Sequence, residues 1–200
     1  MNSIDRLTEL FRSFPGIGPR QARRFVYYLL SRNGSYSEEF VRAVQELKKE
    51  ITQCVECQRF YARSGGSENF CTICADDTRD SSMLMLVPRD IDMEAVERSG
   101  SYKGYYFVLG GVVPILEKEP EKRVRINDLQ KTINRRKDLK EIILAMNANQ
   151  EGENTAEYIR EKFKSDTLTF STLGRGLSTG AELEYADPET LRNALIHRTK

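Results

Sequence analysis

Apolar residues in the first quarter of the chain recur at the three- and four-residue spacing of an amphipathic helix. The pattern predicts three helices within residues 4–52, with apolar stripes at Ile4, Leu7, Leu10 and Phe11, at Ala22, Phe25, Val26 and Leu29, and at Phe40, Val44, Leu47 and Ile51. Residues 15–19 break the first helix, and Pro19 suits the first turn of the second. We expect the pair Asn33-Gly34 to cap the end of the second helix and the third helix to begin near Ser37.

Beyond residue 79 the pattern changes to short apolar runs that alternate with helical periods. We expect strands at 83–87, 105–109, 141–146 and 167–173, and helices at 92–98, 128–135 and 155–164. Ala156, Ile159 and Phe163 are expected to face inward. A last helix opens with Asp187 as its N-cap and Pro188 at its first position. Alternating strands and helices predict a mainly parallel α/β sheet.

Composition limits the class of protein. Of 200 residues, 39% are hydrophobic, which is enough for a packed core and argues against disorder. The longest apolar run, residues 25–30, is far shorter than the ~20 residues that cross a bilayer. With 31 basic and 30 acidic side chains the net charge is +1, which excludes an overall basic coat for nucleic acid. The polar N-terminus lacks the apolar centre of a signal peptide, so we expect a cytoplasmic protein.

Four cysteines form two C-x2-C pairs separated by 13 residues: Cys54, Cys57, Cys71 and Cys74. Stable disulfides are unusual in the cytosol, and this spacing suits one tetrahedral zinc ion. Four protein ligands leave no open position for water, so the expected ion is structural, one per chain. The alternative is a pair of redox-active C-x2-C motifs.

The sequence FPGIGPRQARRF, residues 14–25, predicts a helix–hairpin–helix. Gly16 and Gly18 permit a tight hairpin at backbone positions closed to residues with a Cβ, so backbone N–H groups can approach a phosphate at the start of the second helix. Arg20 and Arg24 share a face beside these amides, and Arg23 lies at its edge.

Charge in this part of the chain favours DNA. Residues 1–37 hold six arginines and two acids, a local charge of +4. We therefore expect binding to the DNA backbone without base preference, weakened by salt. The alternative is a plain helical turn with solvated arginines. A second basic stretch, residues 118–140, has nine Lys and Arg against four acids and is either a DNA path or a solvated face.

Carboxylates follow two of the predicted strands. Asp90 and Asp92 follow the first strand, and Glu151 and Glu153 follow the third, positions from which acids can hold Mg²⁺. Solvated loop acids are an equal alternative. The single histidine, His197, leaves no Ser/His/Asp or Cys/His set, and the chain has no GxxxxGK[ST] phosphate loop.

These elements, in this order, resemble the bacterial recombination mediator RecR family over nearly the whole chain. The matching pieces are residues 14–25, the four cysteines with 76–80, and residues 92–111, 141–159 and 174–195. The resemblance implies a helix–hairpin–helix at 1–52, a four-cysteine zinc finger at 53–78, a Toprim-like domain at 79–172, and a Walker-B-like segment with a C-terminal helix at 173–200. Pro88 and Arg89 depart from the family at the expected acid after the first strand.

The same resemblance implies a non-enzymatic function. Family members form ring-like oligomers, dimeric or tetrameric, around DNA and act with RecO and RecF to load the RecA recombinase on single strands. Glu151 and Glu153 match the acids that contact RecO in the family. Two other classes of function stay open, a Mg²⁺-dependent nuclease or primase of the Toprim type and an interaction scaffold that does not bind DNA.

Overall fold

The structure is a computed structural model that describes residues 1–63 and 69–198. The chain forms two compact units, Met1–Thr52 and Gln53–Lys200. None of the helices in the described ranges combines the length and apolarity that a membrane crossing requires.

The first unit consists of three helices, as the periodicity predicts. They are α1 (Ser3–Arg12), α2 (Pro19–Leu30) and α3 (Gly34–Glu50). Phe11 from α1 and the pair Ala22 and Val26 from α2 form its buried centre, against which Ile4, Leu7, Ile17, Phe25 and Leu29 pack. Burial of these apolar side chains holds α1 against α2.

Two details of α2 and α3 differ from the sequence prediction. The helix α2 ends at Leu30, and Asn33 is the N-cap of α3, because its side chain accepts a hydrogen bond from the N–H of Tyr36 at 3.1 Å. The prediction of a C-cap at Asn33-Gly34 is therefore wrong, and α3 begins at Gly34 instead of near Ser37. Asparagine is common both at the N-cap of a helix and just after the C-terminus of a helix. Here the side-chain hydrogen bond shows that Asn33 is an N-cap.

The stripe predicted on α3 is not a core face. Phe40, Val44 and Leu47 are 42%, 48% and 59% exposed within the described chain. Ile51 leaves the helix and begins a strand. Helical spacing alone does not show which face of a helix is covered.

Six strands and four α-helices follow α3 in the described ranges. These are β1 (Ile51–Gln53), β2 (Phe60–Ala62), β3 (Asp80–Val87), α4 (Asp90–Ser99), β4 (Gly104–Val108), α5 (Ile126–Arg135), β5 (Glu141–Leu144), α6 (Gln150–Lys162), β6 (Thr169–Thr172) and α7 (Pro188–Ile196). The strands β1 and β2 pair with each other. As predicted, Asp187 caps α7, accepting hydrogen bonds from the N–H groups of Glu189 and Thr190.

The other four strands form one parallel sheet in the order β4-β3-β5-β6, which confirms the predicted parallel α/β arrangement. In the central strand, Leu86 is in register with Phe107 on one side and with Leu144 on the other. The residues of β3 from Leu84 to Val87 are all buried, as a strand covered on both faces requires.

Side chains alternate between the two faces of this sheet and form two cores. Leu84, Leu86 and Ile142 pack with Ile159 and Phe163 of α6 on one face. On the other face, Met85, Val87, Tyr106 and Val108 pack with Met93 of α4 and with the cysteines. Ala156, Ile159 and Phe163 are buried, so the inward face predicted for α6 is confirmed. The cysteine element thus forms part of the covering of the sheet.

Candidate functional site

The turn between α1 and α2 has the geometry of a glycine hairpin. Gly16 has φ +76°, a left-handed conformation that favours glycine. The N–H of Ile17 donates to the carbonyl oxygen of Phe14 at 3.1 Å, which closes the turn. Gly18 has φ −80° and ψ 170°, and nothing lies within 4 Å of a Cβ built there. The expectation that both positions exclude a Cβ therefore applies to Gly16 and is wrong for Gly18.

The start of α2 differs from the starts of the other helices in its unit. Asn2 caps α1 and Asn33 caps α3 through side-chain oxygens, whereas Gly18 at the N-cap of α2 has no side chain to do so. Within the described residues, the N–H groups of Arg20 and Gln21 have no acceptor. Orphan amides at a helix start, with the positive end of the helix dipole, attract an anion.

Three arginines lie in the first half of α2. Arg20, Arg23 and Arg24 are all exposed, and no ion pair engages them anywhere in residues 1–63 or 69–198. The first turn of α2 contains no acidic residue. The exposed start of α2 therefore presents free amides and guanidinium groups without a competing carboxylate.

The four cysteines converge in space. Their sulfur atoms all lie within 4.8 Å of one another, and Cys54, Cys57 and Cys71 are buried. The Sγ atoms of Cys57 and Cys71 are 3.6 Å apart. A tetrahedral ion with Zn–S bonds of ~2.3 Å places its sulfurs about 3.8 Å apart, so the cluster fits one such ion. Because both C-x2-C pairs meet at one point, a shared ion is favoured over two separate redox motifs.

Contacts within the cluster favour the thiolate form of Cys54. Hydrogen bonding with Cys57 lowers the pKa of the Cys54 thiol. The N–H of Cys71 also points at Sγ of Cys54, at 3.5 Å. An N–H directed at sulfur stabilises a thiolate, the form that binds metal.

Three successive carbonyl groups fix the first cysteine turn to β4, to α5 and to the residue before α5. The carbonyl oxygen of Glu56 accepts from Thr132 Oγ1 at 3.0 Å, that of Cys57 from the N–H of Val108 at 2.8 Å, and that of Gln58 from Arg125 Nη1 at 2.9 Å. Gln58 has φ +62°, the one left-handed non-glycine in the described ranges. Sequence reasoning missed this docking because Arg125 and Thr132 lie far from the cysteines along the chain and carry no local signal.

Three of the four acids that follow the strands have separate partners. Asp90 accepts from the N–H of Phe60 at 2.7 Å, Asp92 pairs with Arg89, and Glu153 pairs with Arg175 at 2.8 Å. Glu151 is exposed in the first turn of α6. In the part of the chain that is described, the cysteines are the only group of three or more side chains suited to share a metal. The structure does not bring the four acids together into a magnesium site.

The second basic stretch is largely occupied by internal contacts. Lys122 pairs with Glu119, Arg123 with Glu117 and Lys131 with Asp128, while Arg135 and Arg136 both contact Glu56. These contacts favour the solvated structural face over a DNA path. The lone histidine, His197, is exposed at the end of α7, with Nδ1 2.9 Å from the carbonyl oxygen of Asn193.

Comparison with known proteins identifies the family. Sequence profiles match at residues 4–48 (RecR, helix-hairpin-helix), 82–173 (Toprim domain) and 176–199 (RecR, C-terminal). The Recombination protein RecR of Staphylococcus saprophyticus is 39% identical, covering 98% of this chain and 96% of the relative. The chain belongs to the RecR family. The Recombination protein RecR of Bifidobacterium adolescentis is 37% identical and that of Legionella pneumophila strain Corby 32%, each over at least 95% of both chains.

The RecR helix-hairpin-helix profile covers the hairpin and the Toprim profile covers most of the sheet, but neither covers the cysteines, since residues 49–81 lie between the two matched segments. The metal-binding interpretation of this RecR member therefore depends on the geometry of its four sulfurs. The hairpin with Gly16 and Arg20 lies inside the segment described as the RecR helix-hairpin-helix.

Proposed function

We propose that this chain is a non-enzymatic DNA-binding clamp that acts in recombinational DNA repair. The observation that carries the proposal is the uncapped start of α2, where free amides follow Gly16 and Gly18 and where Arg20, Arg23 and Arg24 have no acidic partner. Amides and guanidinium groups hold phosphates and carry no base code, so binding is independent of sequence and sensitive to salt. The names of the relatives as recombination proteins agree with this role.

We assign one structural zinc ion per chain to Cys54, Cys57, Cys71 and Cys74. The donor set and its burial support zinc, because four thiolates suit a soft tetrahedral ion and leave no open coordination position for a reaction. The ion would hold the two cysteine turns together on the sheet. We propose the functional division into hairpin (1–52), zinc finger (53–78), Toprim-like domain (79–172) and C-terminal segment (173–200).

The partner contacts follow from family membership. We propose that the protein helps RecO and RecF load the RecA recombinase on single-stranded DNA, and that it does so as a homo-oligomer, a dimer or a tetrameric ring. One hairpin offers few phosphate contacts, and repeating it around a ring multiplies them. Glu151 and Glu153 are the proposed partner contacts. Glu151 is the more available, since Glu153 pairs with Arg175.

Separation of the strand-end acids supports the non-enzymatic interpretation over a Toprim-type nuclease or primase. Phosphoryl transfer of that kind needs carboxylates that share Mg²⁺, and Asp90, Asp92 and Glu153 each have a different partner. Incubation of DNA with the protein and Mg²⁺ or Mn²⁺ should give neither cleavage nor synthesis. Turnover that is lost on Glu151→Gln or Glu153→Gln would establish the enzyme instead.

Retention of DNA at low ionic strength tests the proposal directly. Fluorescence anisotropy of labelled oligonucleotides of two unrelated sequences should give equal affinities that fall together as salt is raised. An interaction scaffold with solvated arginines predicts no retention at any salt concentration, and that result would overturn the clamp.

A further inference from the structure

The strand β6 is an open edge of the parallel sheet. At the opposite edge, the N–H of Val108 in β4 is occupied by the carbonyl of Cys57, but β6 has no strand beyond it in the described ranges. The N–H of Thr169 donates inward to Lys140 at 2.8 Å. Because successive residues of a strand alternate, the N–H and C=O of Phe170 point outward. Such an edge is a template for pairing with another strand.

A groove of about 480 Å³ lies along this edge, between β6 and α6. Leu168 and Phe170, both half-buried, form its apolar part. Its charged part comes from α6 and the residues just after it, in the order Glu157, Arg160, Glu161 and Lys164. Glu157 pairs with Arg160 at 2.7 Å, whereas Glu161 and Lys164 have no partner in the described chain.

Along the groove the charges run acidic, basic, acidic, basic. Read in the opposite direction, this order places a charge of opposite sign at every position. Two antiparallel copies of residues 157–164 that cross between positions 160 and 161 bring Glu157 opposite Lys164 of the second copy and Arg160 opposite Glu161 of the second copy. Both pairs then occur twice, and no like charges meet. The same two-fold axis can place Phe170 opposite Phe170 of the second copy, where outward N–H and C=O groups exchange two hydrogen bonds.

We propose that β6 and α6 form a two-fold interface between two copies of this chain, which joins their sheets into one of eight strands. This inference deepens the homo-oligomer of the proposed function and rests on it. Charge complementarity selects a second copy as the occupant, because an isologous contact requires a surface that matches itself, and the four charges meet that requirement.

Charge-reversal variants test the interface by sedimentation velocity across a range of concentrations. The contact between position 157 of one copy and position 164 of the other, here called the outer pair, occurs twice. Lys164→Glu places two carboxylates opposite each other in both outer pairs, and Glu157→Lys places two ammonium groups opposite each other there. Each variant alone should therefore self-associate at least about tenfold more weakly. An equimolar mixture of the two variants allows a heterodimer with fewer like-charge contacts than either variant alone.

In that heterodimer, one outer pair joins the two substituted side chains and the other joins the two original ones, so both pairs have opposite charges. The mixture should accordingly recover the association of the original chain. Lys118→Glu, on an exposed loop outside the groove, makes the same charge change as Lys164→Glu and should have no effect.

The mixture also separates a lost contact from a lost fold, because misfolded variants do not rescue each other. Association of Lys164→Glu equal to that of the original chain, or a mixture that fails to recover, would overturn the interface, and so would an original chain that stays monomeric. An extended peptide from another protein as the true occupant would give the first of these results. DNA retention is measured on the same samples. If retention is absent while the mixture recovers association, the clamp fails and the interface stands.

Discussion

The backbone N–H of Val108 donates a 2.8 Å hydrogen bond to the carbonyl oxygen of Cys57, which joins the last residue of β4 to a cysteine of the cluster. The neighbouring carbonyls of Glu56 and Gln58 are held by Thr132 and Arg125. The shape of the first cysteine turn and the position of the sheet are therefore coupled, and an ion that fixes the turn also stabilises the sheet.

Removal of one cysteine should release the metal and loosen the sheet. Cys57→Ala is expected to lose the zinc ion and to lower the free energy of unfolding by about 3 kcal/mol or more, since the binding energy of a structural ion is folding energy. Metal analysis and denaturant unfolding measure the two effects. Thr132→Val is the matched control, because it removes one carbonyl contact and leaves every thiol. A zinc content of one per chain in Cys57→Ala would show that the ligand set is wrong.

The arginines of α2 should each contribute about one phosphate contact. Arg20→Ala and Arg24→Ala are expected to weaken binding equally for all DNA sequences and to reduce the slope of log K against log salt by about 0.7–0.9 each. Arg42→Ala, exposed on α3, changes the charge equally and should leave the slope unchanged. Slopes that stay the same in the α2 variants would place the DNA elsewhere.

The uncapped start of α2 gives a prediction in which stability and binding change in opposite directions. Gly18→Ser should supply the missing cap and raise stability by a few tenths of a kcal/mol, roughly the difference between serine and glycine N-caps. Its hydroxyl would occupy an amide at the start of α2 that the proposed function assigns to phosphate, so DNA affinity should fall. Gly18→Ala, which has open space for its Cβ, is the control without a capping group. Unchanged affinity in Gly18→Ser would exclude these amides from the interface.

A carboxylate on α4 should make stability depend on pH. Burial by itself would raise the pKa of Glu97, but hydrogen bonds from Arg79 and Tyr106 outweigh it and hold the pKa below its ordinary value. The stabilisation by this carboxylate is therefore present at neutral pH. It is lost as the pH falls from the ordinary carboxyl range, about 4.3, through the lower pKa of the folded state.

Glu97→Gln should accordingly lower the free energy of unfolding by about 1 kcal/mol at pH 7, a modest value because the Glu97 side chain is 32% exposed. The difference from the original chain should shrink when urea unfolding is repeated below pH 4. Glu94→Gln, exposed on the same helix, should change neither value. A deficit in Glu97→Gln that is equally large in acid would assign the effect to packing.

Local pattern determined most of the elements of this protein. The spacing of Ala22 and Val26 and the short apolar runs of the later strands depend only on which side chains must leave water, so sequence alone predicted three helices and a mainly parallel sheet. The cluster of four cysteines was also predicted from sequence, because two C-x2-C pairs at this spacing are typical of four ligands to one metal ion. Gly16 was identified because few other residues adopt its left-handed backbone.

The tertiary structure decided which residues each helix and strand contacts. Asn33 suits either end of a helix, and only its hydrogen bond to Tyr36 shows which end it caps. The acids after the strands share a sequence context suited to Mg²⁺, yet partners distant along the chain, such as Arg175 for Glu153, hold them apart. The open edge at β6 likewise exists only once four strands have taken their order. The periodicity of a segment shows which of its side chains face water and which face the core. Contacts between residues distant along the chain form only when the whole chain is folded.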